Sequence, residues 1–138
     1  MSGFEVAGIA LGAFTVALST LNGYRKLAEK ARIWSDVKLQ YTIWRTELEL
    51  RQIALDLHLR ELLLPAPLDD EKIGQMVGNP SGESWRDDNV SSYLAKRLGS
   101  SGQLYYFYLG SIARTLDEAK TMLLLNCQFL QQHLDTQV

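Results

Sequence analysis

The two histidines, His58 and His133, are the first side chains to consider for catalysis or metal binding. Each is preceded three residues earlier by a leucine, so neither belongs to a Glu-x-x-His pair of the kind that holds iron in helical bundles. No second ligand lies within helical reach of His58. We therefore interpret His58 as a histidine at the rim of a helical bundle and expect no metal site.

Covalent catalysis and cofactor binding have equally little support. The one cysteine, Cys127, falls on an apolar stripe, which predicts a buried and inert thiol. The acidic residues 69–71 are expected to begin a helix, where the macrodipole favours negative charge. The motifs GxGxxG, GxxxxGK[ST], GxSxG and CxxC do not occur. We expect a protein that is not an enzyme and that takes no cofactor and no small-molecule substrate.

The chemistry that the sequence does support is an interaction with lipid. Residues 6–24 carry no charge over 19 positions, and a helix of that length spans about 28 Å, close to the hydrocarbon thickness of a bilayer. Glu5 stands where a secretory signal would be basic, so the segment is expected to stay in the mature chain. The residues expected to enter the membrane are Phe4, Val6, Gly8, Ile9, Leu11, Gly12, Phe14, Val16, Leu18 and Leu21.

Small and polar residues weaken this segment as a permanent membrane span, because they lower its hydrophobicity. Gly8 and Gly12 form a GxxxG pair, which permits the close approach of another helix. The alternative is therefore a helix packed inside its own bundle, and the two states can alternate. At rest we expect the helix to be covered by the other helices or by a second chain, because an exposed apolar run would be adhesive.

Cations follow the apolar run directly. Residues 25–45 contain six basic and two acidic side chains, whereas residues 61–90 contain seven acidic and two basic ones. Cations beside an inserted helix attract anionic lipid at about 1 kcal/mol each. The alternative is an ordinary solvated helix face. The residues predicted to contact lipid headgroups are Arg25, Lys26, Lys30, Arg32 and Lys38.

A long helix is predicted over residues 35–64, ended by Pro65 and Pro67. One apolar stripe follows a 4,3 spacing, and a second lies two residues over, so we expect this helix to be buried over a broad face. The first stripe is Val37, Tyr41, Trp44, Leu48, Leu55 and Leu62, and the second is Leu39, Ile43, Leu50, Ile53, Leu57 and Leu64.

The remaining elements are also helical. Short helices are expected at about residues 69–77 and 87–99, and a final long helix at 101–135. Trp85 stands alone in a polar loop and is expected to plug one end of the bundle. No stretch shows the alternation of a strand. The predicted core is Val37, Tyr41, Trp44, Leu48, Leu55, Leu109, Ile112, Leu116 and Leu123.

Length and composition fit one such domain over residues 1–138. The chain is 46% hydrophobic with a formal net charge of -2, which lacks the basic excess of a nucleic-acid-binding protein. One cysteine cannot form an intrachain disulfide, which favours the cytoplasm. The predicted fold is all-α, an antiparallel helical bundle of four-helix type with three long helices and one or two short ones.

These features carry a family resemblance. The opening MSGFEVAGIALGAF, the uncharged stretch after it and the Tyr24–Arg25 junction resemble the N-terminal domains of fungal proteins of the HeLo and HeLo-like group. The ELLLP sequence at 61–65, the Asp-Asp-Glu helix start and the Trp85 loop are similar to members found in fungal immune-type and prion-inhibition proteins. The resemblance covers nearly the whole chain, and the shorter HeLo-like form is the closer comparison.

The resemblance implies a cell-death effector of fungal heterokaryon incompatibility or innate immunity, and kinship with the four-helix bundle of the necroptosis effector pseudokinase. Such a domain is the N-terminal part of a larger protein and is cytoplasmic at rest. Once a regulatory C-terminal region or a receptor triggers it, it forms a homo-oligomer and inserts its N-terminal helix into an anionic membrane, which it permeabilises. The alternative is a soluble protein-interaction and oligomerisation module without membrane activity.

Overall fold

The computed structural model describes residues 5–63, 70–79, 85 and 88–136. Over these residues the chain is all-α, with no strand, which confirms the all-α part of the predicted fold. One turn of 3₁₀ helix, Gly99–Ser101, joins the last two helices. The helices are α1 (Glu5–Lys30), α2 (Trp34–Leu63), α3 (Asp70–Gly78), α4 (Asp88–Leu98) and α5 (Gly102–Asp135).

A tight corner turns the chain from α1 into α2. The backbone N–H of Ile33 donates to the carbonyl of Ala28 at 3.0 Å, and Arg32 between them has a φ of 61°. This is the left-handed C-terminal cap that usually takes glycine, because a Cβ is unfavourable there. The Arg25 guanidinium lies 4.9 Å from the ring centroid of Trp34 and thereby connects the two helices across the corner.

α1 is the central long helix. It packs most extensively on α5 and next on α2, whereas few of the described residues of α2 approach α5 closely. A Cβ on Gly110 would lie 3.9 Å from Val6, and Cys127 packs on the cluster that contains Tyr24. α1 and α5 therefore run in the same direction. Tyr41, early in α2, belongs to that same cluster, so α2 runs opposite to them.

The buried side chains form two clusters, which contradicts the prediction of one core. The main cluster draws on all five helices and Trp85. The corner cluster, near the α1–α2 corner, is smaller. The main cluster is Ala7, Ala10, Leu11, Phe14, Ala17, Leu55, Leu59, Leu63, Ile73, Met76, Val77, Trp85, Val90, Leu94, Leu109 and Leu116, and the corner cluster is Leu21, Tyr24, Tyr41 and Leu123.

The predicted core residues are divided between the clusters. Leu48 is half-buried and contacts both, so it connects them without filling either. Val37 and Ile112 are half-buried at their margins. Trp44 is wrongly placed in the predicted core, since it is 38% exposed. The periodicity correctly assigns Trp44 to the first apolar stripe of α2. Its side chain, however, lies at the edge of that stripe, where an opening separates α2 from α5.

The burial of Trp85 agrees with the prediction that this residue packs into the bundle from a polar loop. Its side chain is 2% exposed, and its indole Nε1 donates to the carbonyl of Met76 at 2.7 Å. The hydrogen bond satisfies the polar end of the ring while the rest of the ring packs in the main cluster. Trp85 thus attaches the end of α3 to the core.

The second apolar stripe of α2 is exposed, contrary to the prediction of a broad buried face. α1 packs along one side of α2, where Tyr41, Leu55 and Leu59 are buried, and the opposite side is left in solvent. Leu64 lies outside the described residues. The exposed fractions are 74% for Leu39, 43% for Ile43, 61% for Leu50, 55% for Ile53 and 56% for Leu57.

Two neighbouring leucines of α2 provide a matched test of this packing. Leu59 is fully buried in the main cluster, whereas Leu57 is 56% exposed. Leu59→Ala should lower the free energy of unfolding by about 2 to 5 kcal/mol, because it leaves a cavity. Leu57→Ala should change it by less than about 0.5 kcal/mol. Urea melts of both variants measure the difference, and equal losses would show that both faces of α2 are packed.

Candidate functional site

α1 meets the length and composition criterion for crossing a membrane, a criterion that core helices of soluble proteins also meet. It has 26 residues and a most apolar window with a mean hydropathy of 1.5. Alanines at 7, 10 and 17 are buried, and such small side chains let the backbones of neighbouring helices come close. The helix therefore combines a sequence that can enter lipid with a tight position inside the protein.

The residues predicted to enter the membrane are mostly covered in this structure. Most of their apolar positions face the other helices, and the solvent-facing strip of α1 carries Ile9 and Val16 among small and polar residues. Phe4 lies outside the described residues. Gly8, Leu11, Phe14 and Leu21 are buried, Val6, Gly12 and Leu18 are half-buried, and Ile9 and Val16 are 55% and 47% exposed.

Apolar contact is the main attachment of α1 to its neighbours. Leu11, Phe14, Leu21 and Tyr24 are the large buried side chains of α1, and its other buried positions are alanine or glycine. The ion pair of α1, between Arg25 and Glu29 at 2.9 Å, lies within the helix. Separation of α1 would thus expose apolar surface without breaking that pair.

The five predicted headgroup residues come together at the α1–α2 corner, but they are not equivalent. Lys26, Lys30, Arg32 and Lys38 are exposed. Arg25 is half-buried, and its guanidinium already has partners within the protein. Its hydrogen bond to Glu29 raises the pKa of the guanidinium above the ordinary value, and its charge lies over the Trp34 ring. The structure therefore offers four accessible cations to an anionic surface.

The aromatic part of this corner was not foreseen from the sequence. Trp34 and Tyr41 meet edge to face with centroids 5.1 Å apart, and Arg25 lies within 6.0 Å of the Tyr41 centroid as well. Trp34 and Tyr41 are seven residues apart on one helix, and an arginine precedes them in the chain. This spacing is the sequence signal that could have indicated the aromatic contact. Arg25 is consequently a residue that fixes the corner.

A groove between α2 and α5 is a second feature that sequence reasoning missed. Two adjoining cavities of about 370 and 380 Å³ share Arg51, Thr115 and Leu116 in their walls. Phe14 and Leu21 of α1 line the two cavities. Arg51 and His58 interrupt the first apolar stripe of α2, and these interruptions were the available sign that part of the stripe faces an opening. We call this feature the α2–α5 groove.

The groove spans several helical turns. Its α5 wall extends from Tyr108 to Asn126, which are 18 residues apart, or about 27 Å along a helix. The lining is predominantly apolar, with Arg51 near its middle and Glu47 beside the second cavity. No ion pair joins Arg51 to another residue in the part of the chain that the structure describes.

The titratable groups near these features do not form a reactive centre. Burial raises the pKa of the Cys127 thiol, which keeps it in the unreactive thiol form. The His58 ring lies 5.3 Å from that of Tyr105. Within the described ranges, no three His, Cys, Asp or Glu side chains come together as a metal ion would require.

Comparison of the chain with protein-family models gives no match, and searches of curated proteins and of solved structures give none either. The HeLo-like resemblance therefore stays a prediction.

Tyr105 makes the stability depend on alkaline pH. Burial raises its pKa from 10.0 to about 12. Between those values the unfolded chain releases a proton that the folded chain retains, so this contribution is complete below pH 10 and is lost as the pH rises toward 12. From about pH 9 to about pH 11, the free energy of unfolding should fall by about 1 kcal/mol more in the wild type than in Tyr105→Phe.

Urea melts of both proteins at the two pH values measure this difference. Tyr24, whose pKa burial also raises, is present in both proteins and cancels in the comparison. An identical pH dependence in the two proteins would mean that the Tyr105 phenol is solvated in the folded state.

Proposed function

We propose that this protein is a membrane-active effector domain in which α1 leaves the other helices and enters an anionic membrane. The observation that carries the proposal is the adjacency of two features: α1 is long and apolar enough to cross a bilayer, and four exposed cations stand at its C-terminal end. Neither feature would suffice alone, because the small and polar residues of α1 weaken its partitioning and surface charge acts only within about 8 Å at physiological salt.

The way α1 is held supports its release. Its burial rests chiefly on alanines, glycines and a few large apolar side chains, so the contact surface it gives up can be replaced by lipid. Several glycines also lower its intrinsic helical stability, at about 1 kcal/mol each relative to alanine. Because α1 lies between α2 and α5, its departure would open the domain and leave those helices to rearrange.

The proposal includes the finer parts of the family resemblance. We place the chain among HeLo-like domains, with an arrangement of four-helix type in which α2 runs antiparallel to α1 and α5, acting in fungal incompatibility or defence. The domain is cytoplasmic at rest and membrane-associated when active. A regulatory C-terminal region or a receptor supplies the trigger, and the active state is a homo-oligomer that permeabilises the membrane.

A second candidate is a soluble helical interaction module that never contacts lipid. It is favoured by the exposed apolar stripe of α2 and by the α2–α5 groove, since large apolar surfaces of this kind mark protein contacts. Vesicle permeabilisation separates the two candidates, because an interaction module leaves the vesicles sealed.

Ile9 and Val16 allow membrane insertion to be tested without damage to the resting fold. Both are exposed, whereas a charge at Leu11 or Phe14 would be buried in the main cluster. Ile9→Asp with Val16→Asp should abolish dye release from vesicles of anionic lipid, because each charge costs about 2.5 to 3.5 kcal/mol at the centre of a membrane helix. Binding to the vesicles should persist, since the cations are intact.

The matched control places the same change on α5. Leu124 and Leu125 are exposed leucines, at 44% and 50%, and Leu124→Asp with Leu125→Asp should leave dye release near the wild-type level. Circular dichroism confirms that each variant is folded. Equal leakage from the α1 variant and the wild type would refute insertion of α1.

Neutralisation of the exposed cations tests the other half of the proposal. Lys26→Gln, Lys30→Gln and Lys38→Gln together should weaken co-sedimentation with anionic vesicles, because each cation contributes about 1 kcal/mol near such a surface. The loss should be larger at about 0.05 M than at about 0.5 M salt, since salt screens the attraction. Arg25 is left unchanged because it fixes the corner.

The control for this variant removes three exposed cations away from the corner, Lys96, Arg97 and Arg114. Their replacement by glutamine should affect binding much less. A similar loss of binding in both variants would mean that the net charge of the protein, and not the position of the cations at the corner, determines binding. If the wild type neither binds nor permeabilises anionic vesicles, the interaction-module candidate replaces the effector proposal.

A further inference from the structure

The corner between α1 and α2 lacks the residues that normally end one helix and begin the next. Arg32 has a φ of 61°, whereas the other described residue with a left-handed φ, at the end of α4, is Gly99. A Cβ disfavours this conformation because it comes too close to the carbonyl oxygen that follows. The carbonyl of Ile33 accepts from the backbone N–H of Val37 at 3.2 Å, so Ile33 is the N-cap of α2. Isoleucine has no side-chain acceptor for that position, so both corner residues are unfavourable where they stand.

The sequence around the corner is instead compatible with an uninterrupted helix. No glycine or proline occurs from residue 24 to residue 64, whereas Pro65 follows α2 and Gly99 follows α4. Arg32 and Asp36 would lie one turn apart in such a helix and attract each other. Among the residues that the structure describes, no ion pair includes either of them. The local sequence therefore favours a straight joint over the corner.

Contacts between the two helices hold the corner against this local preference. The Arg25 guanidinium of α1 lies 4.9 Å from the ring centroid of Trp34 and 6.0 Å from that of Tyr41, both on α2. Leu21 and Tyr24 of α1 pack with Tyr41 in the corner cluster. All of these contacts require α1 to lie against α2, so they are lost when α1 leaves.

The apolar periodicity also continues across the corner as it would in one helix. Residues 36 positions apart lie on the same side of a helix, because 36 residues make about ten turns. This spacing relates buried residues of α1 to the exposed second stripe of α2, namely Phe14 to Leu50 and Leu21 to Leu57. The pattern of residues 14–57 is therefore that of a single helix, although the resting fold divides it in two.

We propose that α1 and α2 join into one continuous helix when α1 leaves the other helices. At the joint, Arg32 takes a helical φ, and the backbone N–H of Ile33 exchanges the carbonyl of Ala28 for that of Glu29. The extended helix, Glu5–Leu63, has 59 residues and is about 88 Å long. It needs no partner for the second stripe of α2, which is in solvent already at rest.

This inference rests on the proposed function, because it describes how a released α1 stays connected to the rest of the domain. A straight joint makes α1 a rigid extension of α2. The part of the extended helix that follows an inserted α1 then projects from the membrane and holds the remaining helices away from the surface.

Spin labels on α1 and α2 measure the straightening directly. Thr15 and Ile53 are exposed and line one cavity of about 300 Å³, so labels at these positions should lie within about 25 Å of each other at rest. They are 38 residues apart, which corresponds to about 57 Å in a continuous helix. Thr15→Cys and Ile53→Cys, with Cys127→Ala, introduce the labels, and pulsed electron paramagnetic resonance measures the distance with and without vesicles of anionic lipid.

Two controls make the distance specific. An excess of unlabelled wild type confines the measurement to labels within one chain. Circular dichroism and dye release verify that the labelled protein folds and acts like the wild type. On the vesicles, a population at the long distance should appear.

Two substitutions at Arg32 alter the joint and remove the same charge. Arg32→Gly favours the left-handed corner and disfavours the helix, whereas Arg32→Ala keeps a Cβ and is the better helix former. On vesicles, the ratio of long to short distances should be about 30-fold lower in Arg32→Gly than in Arg32→Ala. In urea melts without lipid, the folding equilibrium constant should be about fivefold larger for Arg32→Gly than for Arg32→Ala.

Dye release from the same samples separates this inference from the proposed function. If the vesicles leak while the long distance is absent, α1 inserts on a bent or flexible joint, so the continuous helix is excluded and the effector proposal remains. Equal ratios in Arg32→Gly and Arg32→Ala would also overturn the inference. A long distance on vesicles that stay sealed would support the continuous helix and remove permeabilisation. Sealed vesicles with the short distance unchanged would overturn both proposals.

Discussion

The close contact of α1 with α5 is the constraint on which the rest of the structure depends. Alanines and glycines on α1 make it possible, since larger side chains would hold the two backbones apart. With α1 seated there, α2 can pack only on its remaining side, which it reaches through the corner at Arg32. The positions of all three long helices follow from that one contact.

The same constraint explains why so much apolar surface remains in solvent. α1 separates α2 from α5, so the two outer helices do not cover each other, and a groove opens between them. The short helices and Trp85 contribute to the main cluster, and the corner cluster is built by α1, α2 and α5. A chain of this size thus forms a core while leaving two apolar surfaces available for contacts with other molecules.

The sequence predicts the elements of this fold better than their contacts. Helix bounds follow from apolar periodicity, and the burial of Trp85 follows from its isolation in a polar loop. Periodicity also identifies both stripes of α2, but it cannot say which stripe a neighbour covers, and the exposure of Leu50 depends on where α1 lies. The prediction that α2 is buried over a broad face was wrong for that reason.

In the candidate site, too, the sequence predicts local features better than contacts between helices. The composition of α1 and the cations after it can be read directly, whereas the distinct role of Arg25 depends on Trp34 approaching it across a turn. The left-handed conformation of Arg32 has no sequence signal, because glycine or asparagine is the usual residue there. The α2–α5 groove arises from a gap between helices distant in sequence, which local patterns do not encode.

The three tryptophans give the molecule built-in optical reporters. Trp34 lies at the corner beside a cation, Trp44 borders the groove, and Trp85 is enclosed in the main cluster with its indole hydrogen-bonded. Each indole occupies a different surrounding, so its emission responds to a different event: opening of the corner, occupation of the groove or melting of the core. Chains that keep a single tryptophan would resolve the order of these events in time.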